Sequence, residues 1–148
     1  MKCCLIWTGG AMKELVIDAD VDNLDKVLGF TEDFLSEMSC PQKVLIQLNI
    51  AVEEIFVNIA HYAYGSGKGL ATIKYIPDDD GQGITISFED TGMQFDPLAK
   101  EDPDTTLSAE ERSIGGLGIY MVKKSMDDVR YEYTDGRNIL TIYKKLFV

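Results

Sequence analysis

Three short segments carry residue types whose spacing could do chemistry together. In the first, EEIFVN (53–58), Glu54 and Asn58 stand four residues apart. On a helix turning about 100° per residue they fall about 40° apart at one border of the apolar stripe, whereas Glu53 projects about 100° away from Glu54. A carboxylate and a carboxamide one turn apart at the edge of a core can divide two tasks. The Asn58 oxygen suits a hard cation, and Glu54 suits orienting or deprotonating a nucleophile. Such pairs also occur on plain solvated helix faces, so spacing alone leaves both readings open.

The second segment is ITISFED (84–90). Strand alternation puts Ile84, Ile86 and Phe88 on one face and carries Asp90 onto that same apolar side, just before Thr91-Gly92. A buried carboxylate needs a donor partner. The exocyclic amine of adenine would serve, and so would the backbone of a turn capped by Asp90 ahead of Gly92. In the third segment, Gly115-Gly116-Leu117-Gly118 runs directly into Ile119, Val122 and Met126 at helical spacing. Backbone amides without side-chain bulk at a helix start form an anion site, although glycines there can equally serve as hinge or packing residues.

Elements that could position these segments follow from periodicity. ELVIDA (14–19) reads as a strand, and Asp22 or Asn23 then caps a helix bearing Leu24, Val27, Leu28, Phe34 and Leu35, which ends near Ser39. Pro41 opens a second, longer helix to about Tyr64, with Val44, Leu48, Val52, Ile55 and Ile59 at helical spacing. Strands over 70–76 and 84–89 flank the turn DDDGQG, and 117–126 reads as a third helix. Strands over 129–133 and 139–146 close the chain around Asp135-Gly136. Between Thr91 and Gly116 lies a long irregular segment, read as a candidate lid. The order βααββαββ groups strands in antiparallel pairs. It predicts an α+β two-layer sandwich with a mixed, mostly antiparallel sheet covered on one face by helices.

The 148 residues suit one domain, expected over 12–148, with 1–11 ahead of Met12 open between a peripheral extension and a start-site artefact. A composition 45% hydrophobic and 26% charged is that of a globular chain, and the net charge of −11 argues against direct nucleic-acid binding. Cys3, Cys4 and Cys40 have neither CxxC spacing nor a nearby histidine to make a zinc set, so reduced thiols are expected. The apolar run from Cys3 to Trp7 is too short to span a bilayer, and a cytoplasmic protein without membrane association is expected.

Taken in order, the segments resemble the nucleotide site of the histidine-kinase-like ATPase superfamily. EEIFVN resembles its N-box, DTGMQFDP (90–97) its first glycine box and GGLGIYMVKK (115–124) its second, and the likeness covers roughly Glu14 to Leu146. The form DTGxxFDP and the lid ending EERSIGGLG (110–118) are similar to bacterial anti-sigma-factor serine/threonine protein kinases. Those proteins phosphorylate a serine on an anti-anti-sigma partner and hold a sigma factor inactive when that partner is unavailable. The resemblance implies ATP and Mg²⁺, with Glu54 as general base, Asn58 as Mg²⁺ ligand and Asp90 as adenine reader. It assigns Gly92, Gly115, Gly116, Leu117 and Gly118 to nucleotide binding, and Arg112 to ATP phosphate or partner contacts.

The resembling kinases commonly form dimers, so monomer and homodimer both stay open. Two rivals are a non-catalytic ATP-binding module that regulates a protein partner by ordering its lid, and slow ATP hydrolysis driving a conformational switch. Gln94 replaces the second glycine of the broader DxGxG form. Asn138-Ile139 stands where a glycine-threonine pair often enters the last strand, leaving open whether Thr141 substitutes. His61 is expected to be structural or pocket-lining, Tyr62 and Tyr64 to be core and turn residues, and Lys123 and Lys124 to lie on a solvated helix face.

Overall fold

The computed structural model describes residues 10–99 and 117–147. Strand β1 (Lys13–Asp18) leads into a 3-10 turn (Val21–Asn23) and helices α1 (Leu24–Glu37) and α2 (Gln42–Tyr62). Strands β2 (Leu70–Pro77) and β3 (Gly83–Asp90), helix α3 (Leu117–Ser125) and strands β4 (Asp128–Thr134) and β5 (Arg137–Lys145) complete the order. The sheet runs β1-β2-β3-β5-β4, and every pairing is antiparallel, so the expected mixed sheet contains no parallel pair among the described residues.

Local chemistry accounts for the boundaries. Asp20, rather than Asp22 or Asn23, supplies the capping oxygen, accepting from the Asp22 amide at 2.9 Å, and the chain therefore enters α1 through a 3-10 turn. Helix α2 stops at Tyr62, two residues short of the expectation, because Tyr64 is recruited elsewhere. Its hydroxyl donates to the Leu70 carbonyl and accepts the Thr91 amide at 3.0 Å, tying the helix end to β2 and to the exit of β3. At the β4–β5 turn both Asp135 and Gly136 have positive φ, 54° and 75°, the conformation a two-residue type I′ hairpin requires.

One sheet face and three helices share the core. Alternation along β3 buries Ile84, Ile86 and Phe88 against Leu48, Val52, Ile55, Phe56 and Ile59 of α2, Phe34 and Leu35 of α1, and Val122 of α3. Tyr75 is fully buried with its ring against Phe30 and Phe34, and its hydroxyl shares a 2.7 Å hydrogen bond with Thr31. Burial pushes that phenol up to about 12, with the Thr31 bond working the other way. Helix α2 is long and apolar enough to cross a membrane by length and composition, yet six of its residues are buried in this core. Cys40 is a free, half-buried thiol pushed by burial up to about 11, which leaves it a poor nucleophile, while Cys3 and Cys4 lie outside the described residues.

Candidate functional site

Where α2, the end of β3 and α3 converge, a small, partly open cavity of about 50 Å³ lies. Its lining is mostly apolar, including Ile55, Ile59, Phe88, Ile119 and Leu140, with Asn58, Asp90 and Asn138 as its carboxamide and carboxylate groups. Two segments singled out by sequence therefore meet across one space.

Along α2 the burial pattern separates the two adjacent glutamates: Glu53 is exposed and Glu54 half-buried. Glu54 sits one helical turn before Asn58 and reaches the first turn of α3. A Cβ on Gly118 would overlap Glu54 Oε2 and stand 2.9 Å from its Cδ, so any larger residue there would make the carboxylate swing away from this position. Among the described residues neither the Glu54 nor the Asn58 side chain makes a hydrogen bond or ion pair within the protein, and both are available to a ligand. Leu117 is the first residue of α3. Arg112, Gly115 and Gly116 lie outside the described residues.

Asp90 is 7% exposed at the last position of β3. Its Oδ1 accepts the Gly92 amide and Asn138 Nδ2, each at 2.9 Å, so the turn-capping reading holds and Oδ2 is left for a ligand. The neighbouring Glu89 faces the other side of the sheet, where Lys74 at 3.0 Å and Arg137 at 3.1 Å engage its two oxygens. Gly92 does not line the cavity but joins the loop to the end of α2. Its added Cβ would overlap the Ala63 carbonyl oxygen and stand 2.5 Å from the carbonyl carbon, and next to it the Met93 amide donates to Ala63 O at 2.8 Å. Gly92→Ala must therefore push the loop off the helix backbone. Overpacking of this kind costs roughly 1–3 kcal/mol, and thermal melting should show a drop of several degrees.

Sequence reasoning missed Asn138. It pairs with Asp90 in the β3–β5 register, is 6% exposed, and uses all four of its side-chain hydrogen-bonding positions. Nδ2 donates to Asp90 Oδ1 and to Met93 O, both at 2.9 Å. Oδ1 accepts the Phe95 amide at 3.1 Å and the Tyr131 hydroxyl. Burial, opposed by a bond to the Phe95 backbone and reinforced by the charges of Asp96 and Asp90, holds the Tyr131 phenol above its ordinary range. Thr141 cannot take this place: it pairs with Ser87 and Arg130 on the opposite face of the sheet.

Other expectations sort by exposure. Tyr62 is 53% exposed at the cavity edge rather than in the core, because α2 ends there and the sheet does not extend over it. His61 is exposed, does not line the cavity, and meets the Tyr62 ring edge-on, with centroids 6.0 Å apart. Lys124 is exposed and lies over the Tyr120 ring at 5.5 Å, and Lys123 is half-buried.

The profile of the histidine kinase-like ATPase domain matches residues 17–144. The chain belongs to that family. Its ATPase character makes ATP the nucleotide against which the cavity is read. Among curated members, the serine-protein kinase RsbW of Listeria monocytogenes serovar 1/2a is 32% identical over 98 residues, covering 63% of this chain and 61% of that one. The serine-protein kinase RsbW of Bacillus mycoides is 27% identical over 115 residues, covering 76% and 66%. This chain thus aligns with less than two thirds of the length of either relative. In fold, it is similar to a chain carrying the RsbU and RsbW domains of a Mycobacterium tuberculosis protein, with a TM-score of 0.67 at 16% identity over 94% of this chain and 35% of that one. A chain of the SiaB–SiaC complex from Pseudomonas aeruginosa gives 0.56 at 17% identity, covering 88% of each.

Proposed function

We propose that this chain is an anti-sigma regulatory factor acting in the cytoplasm as an ATP-dependent protein serine/threonine kinase, whose substrate is a serine on an anti-anti-sigma partner. The reading rests above all on one arrangement: Asn58 and Asp90 line a single cavity while Glu54, one turn away, meets the first turn of α3. Adenine would enter the apolar part against Phe88, Ile59 and Leu140, with its exocyclic amine donating to Asp90 Oδ2. Phosphates would extend toward Glu54 and the N-terminus of α3, where backbone amides and the helix dipole favour negative charge.

In this mechanism Glu54 takes the proton from the serine hydroxyl as its Oγ attacks the γ-phosphorus. The bond from that phosphorus to the β,γ-bridging oxygen breaks and ADP leaves. Asn58 offers a carboxamide oxygen with no competing bond among the described residues, which suits Mg²⁺. Those residues include no group of three or more His, Cys, Asp or Glu side chains that could hold a metal. The ion would accordingly share Asn58 with phosphate oxygens and water, its usual preference, and when bound it supplies charge neutralisation at the phosphates.

Incubation with γ-labelled ATP and an anti-anti-sigma protein tests the reading. Labelled phosphoserine on that protein is expected. ATP binding without transfer would favour a module that regulates its partner without chemistry, and phosphate release without phosphoprotein would indicate an ATPase switch. A sigma factor and a second copy of the chain are the other proposed partners, to be sought by pull-down with and without ATP.

A further inference from the structure

The buried carboxamide opposite Asp90 carries a consequence for nucleobase choice. Asn138 holds four groups at once: Asp90, the Met93 carbonyl, the Phe95 amide and the Tyr131 hydroxyl. Its orientation is fixed by those partners. Turned over, it would set its oxygen against the Met93 carbonyl and Asp90 Oδ1, and its NH₂ against the Phe95 N–H.

We infer that Asn138 is the specificity-determining positioning residue of this site, selecting a 6-aminopurine by presenting Asp90 to the base solely as an acceptor through Oδ2. The Asn138 and Gly92 donors both fall on Oδ1, which fixes the rotation of the carboxylate and leaves Oδ2 toward the cavity that Asp90 lines. Adenine offers an amine donor to that oxygen. Guanine would set its carbonyl oxygen there instead, acceptor against acceptor, and a site built to pair a donor rejects such a base strongly. Because the same side chain also ties down Met93 and Phe95, it fixes the loop wall beside the base as well as the reading oxygen. Asn138 touches no substrate in this scheme and acts through Asp90.

This inference rests on the proposed nucleotide site, and calorimetric titration of the full chain with Mg²⁺-ATP and Mg²⁺-GTP separates the two. Failure of the unaltered protein to bind either nucleotide would overturn both the site and the inference. With ATP preferred in the unaltered protein, N138D keeps size and the acceptors for Phe95 and Tyr131 but sets a second carboxyl against Asp90, so that the pair shares a proton and Asp90 is no longer held as an acceptor alone, and N138S is too short to reach. The ATP-over-GTP preference should fall about tenfold or more in each, the scale of a hydrogen bond to a charged group. L146A supplies the stability control. Leu146 is buried eight residues along the chain from Asn138, about 26 Å at strand rise, and its truncation should lower the melting temperature while leaving the preference unchanged. An unchanged preference in folded N138D and N138S, or an equal loss in L146A, would refute the inference while leaving the nucleotide site standing.

Discussion

Glu54→Gln is expected to lower phosphoryl transfer to the partner serine by about 10²–10⁴-fold, the usual weight of a positioned general base, while ATP affinity stays within about threefold. Gln has nearly the same shape and can still lie against Gly118, so the fold and the cavity lining have no reason to change. What it lacks is a basic oxygen to take the hydroxyl proton. Single-turnover transfer and equilibrium ATP binding, measured on the same preparation, decide the matter. Transfer within threefold of the unaltered protein would remove Glu54 from the proposed role. Glu53→Gln is the matched control, since that side chain is exposed on the neighbouring face of α2 and should change neither quantity.

The separation of those two glutamates was legible because a helix converts spacing into angle. Helix α2 carries a strong enough apolar stripe for its border to be drawn from sequence alone. Alternation along β3 likewise put Asp90 with Phe88 and Ile86 on the core side, where all three are buried. Boundaries were less legible wherever a side chain from a distant segment intervened. Tyr64 leaves helical register because its hydroxyl serves Leu70 and Thr91, a choice no local propensity reveals. Asn138 was hidden for a similar reason. Its partner Asp90 lies 48 residues away, and the β3–β5 pairing that joins them skips over α3 and β4. From sequence, Asn138 registered only as a departure from a glycine-threonine pair. A polar residue on the apolar face of a strand, in phase with Leu140 and Ile142, was the available signal.

Asn138 also determines what substitution of Asp90 should do. In Asp90→Asn the carboxamide oxygen must occupy the Oδ1 position, because the Gly92 amide and Asn138 Nδ2 both donate there. The new NH₂ group is thereby forced to the Oδ2 position, facing the cavity. Adenine would then meet a donor with its own amine, losing a charge-assisted hydrogen bond and gaining a repulsion. A loss of this kind is worth about 1.5–3 kcal/mol or more, so ATP affinity should fall by roughly 10–100-fold or more. Guanine, whose carbonyl can accept from that NH₂, should be affected far less, and the base preference should narrow or invert. The isosteric change keeps the Gly92 and Asn138 bonds, so melting temperature should shift by only a few degrees. Titration of Asp90→Asn with both nucleotides reads all of this at once. ATP bound as tightly as by the unaltered chain would show that Oδ2 does not read the base, and comparable losses for ATP and GTP would point to a general disturbance of the loop instead.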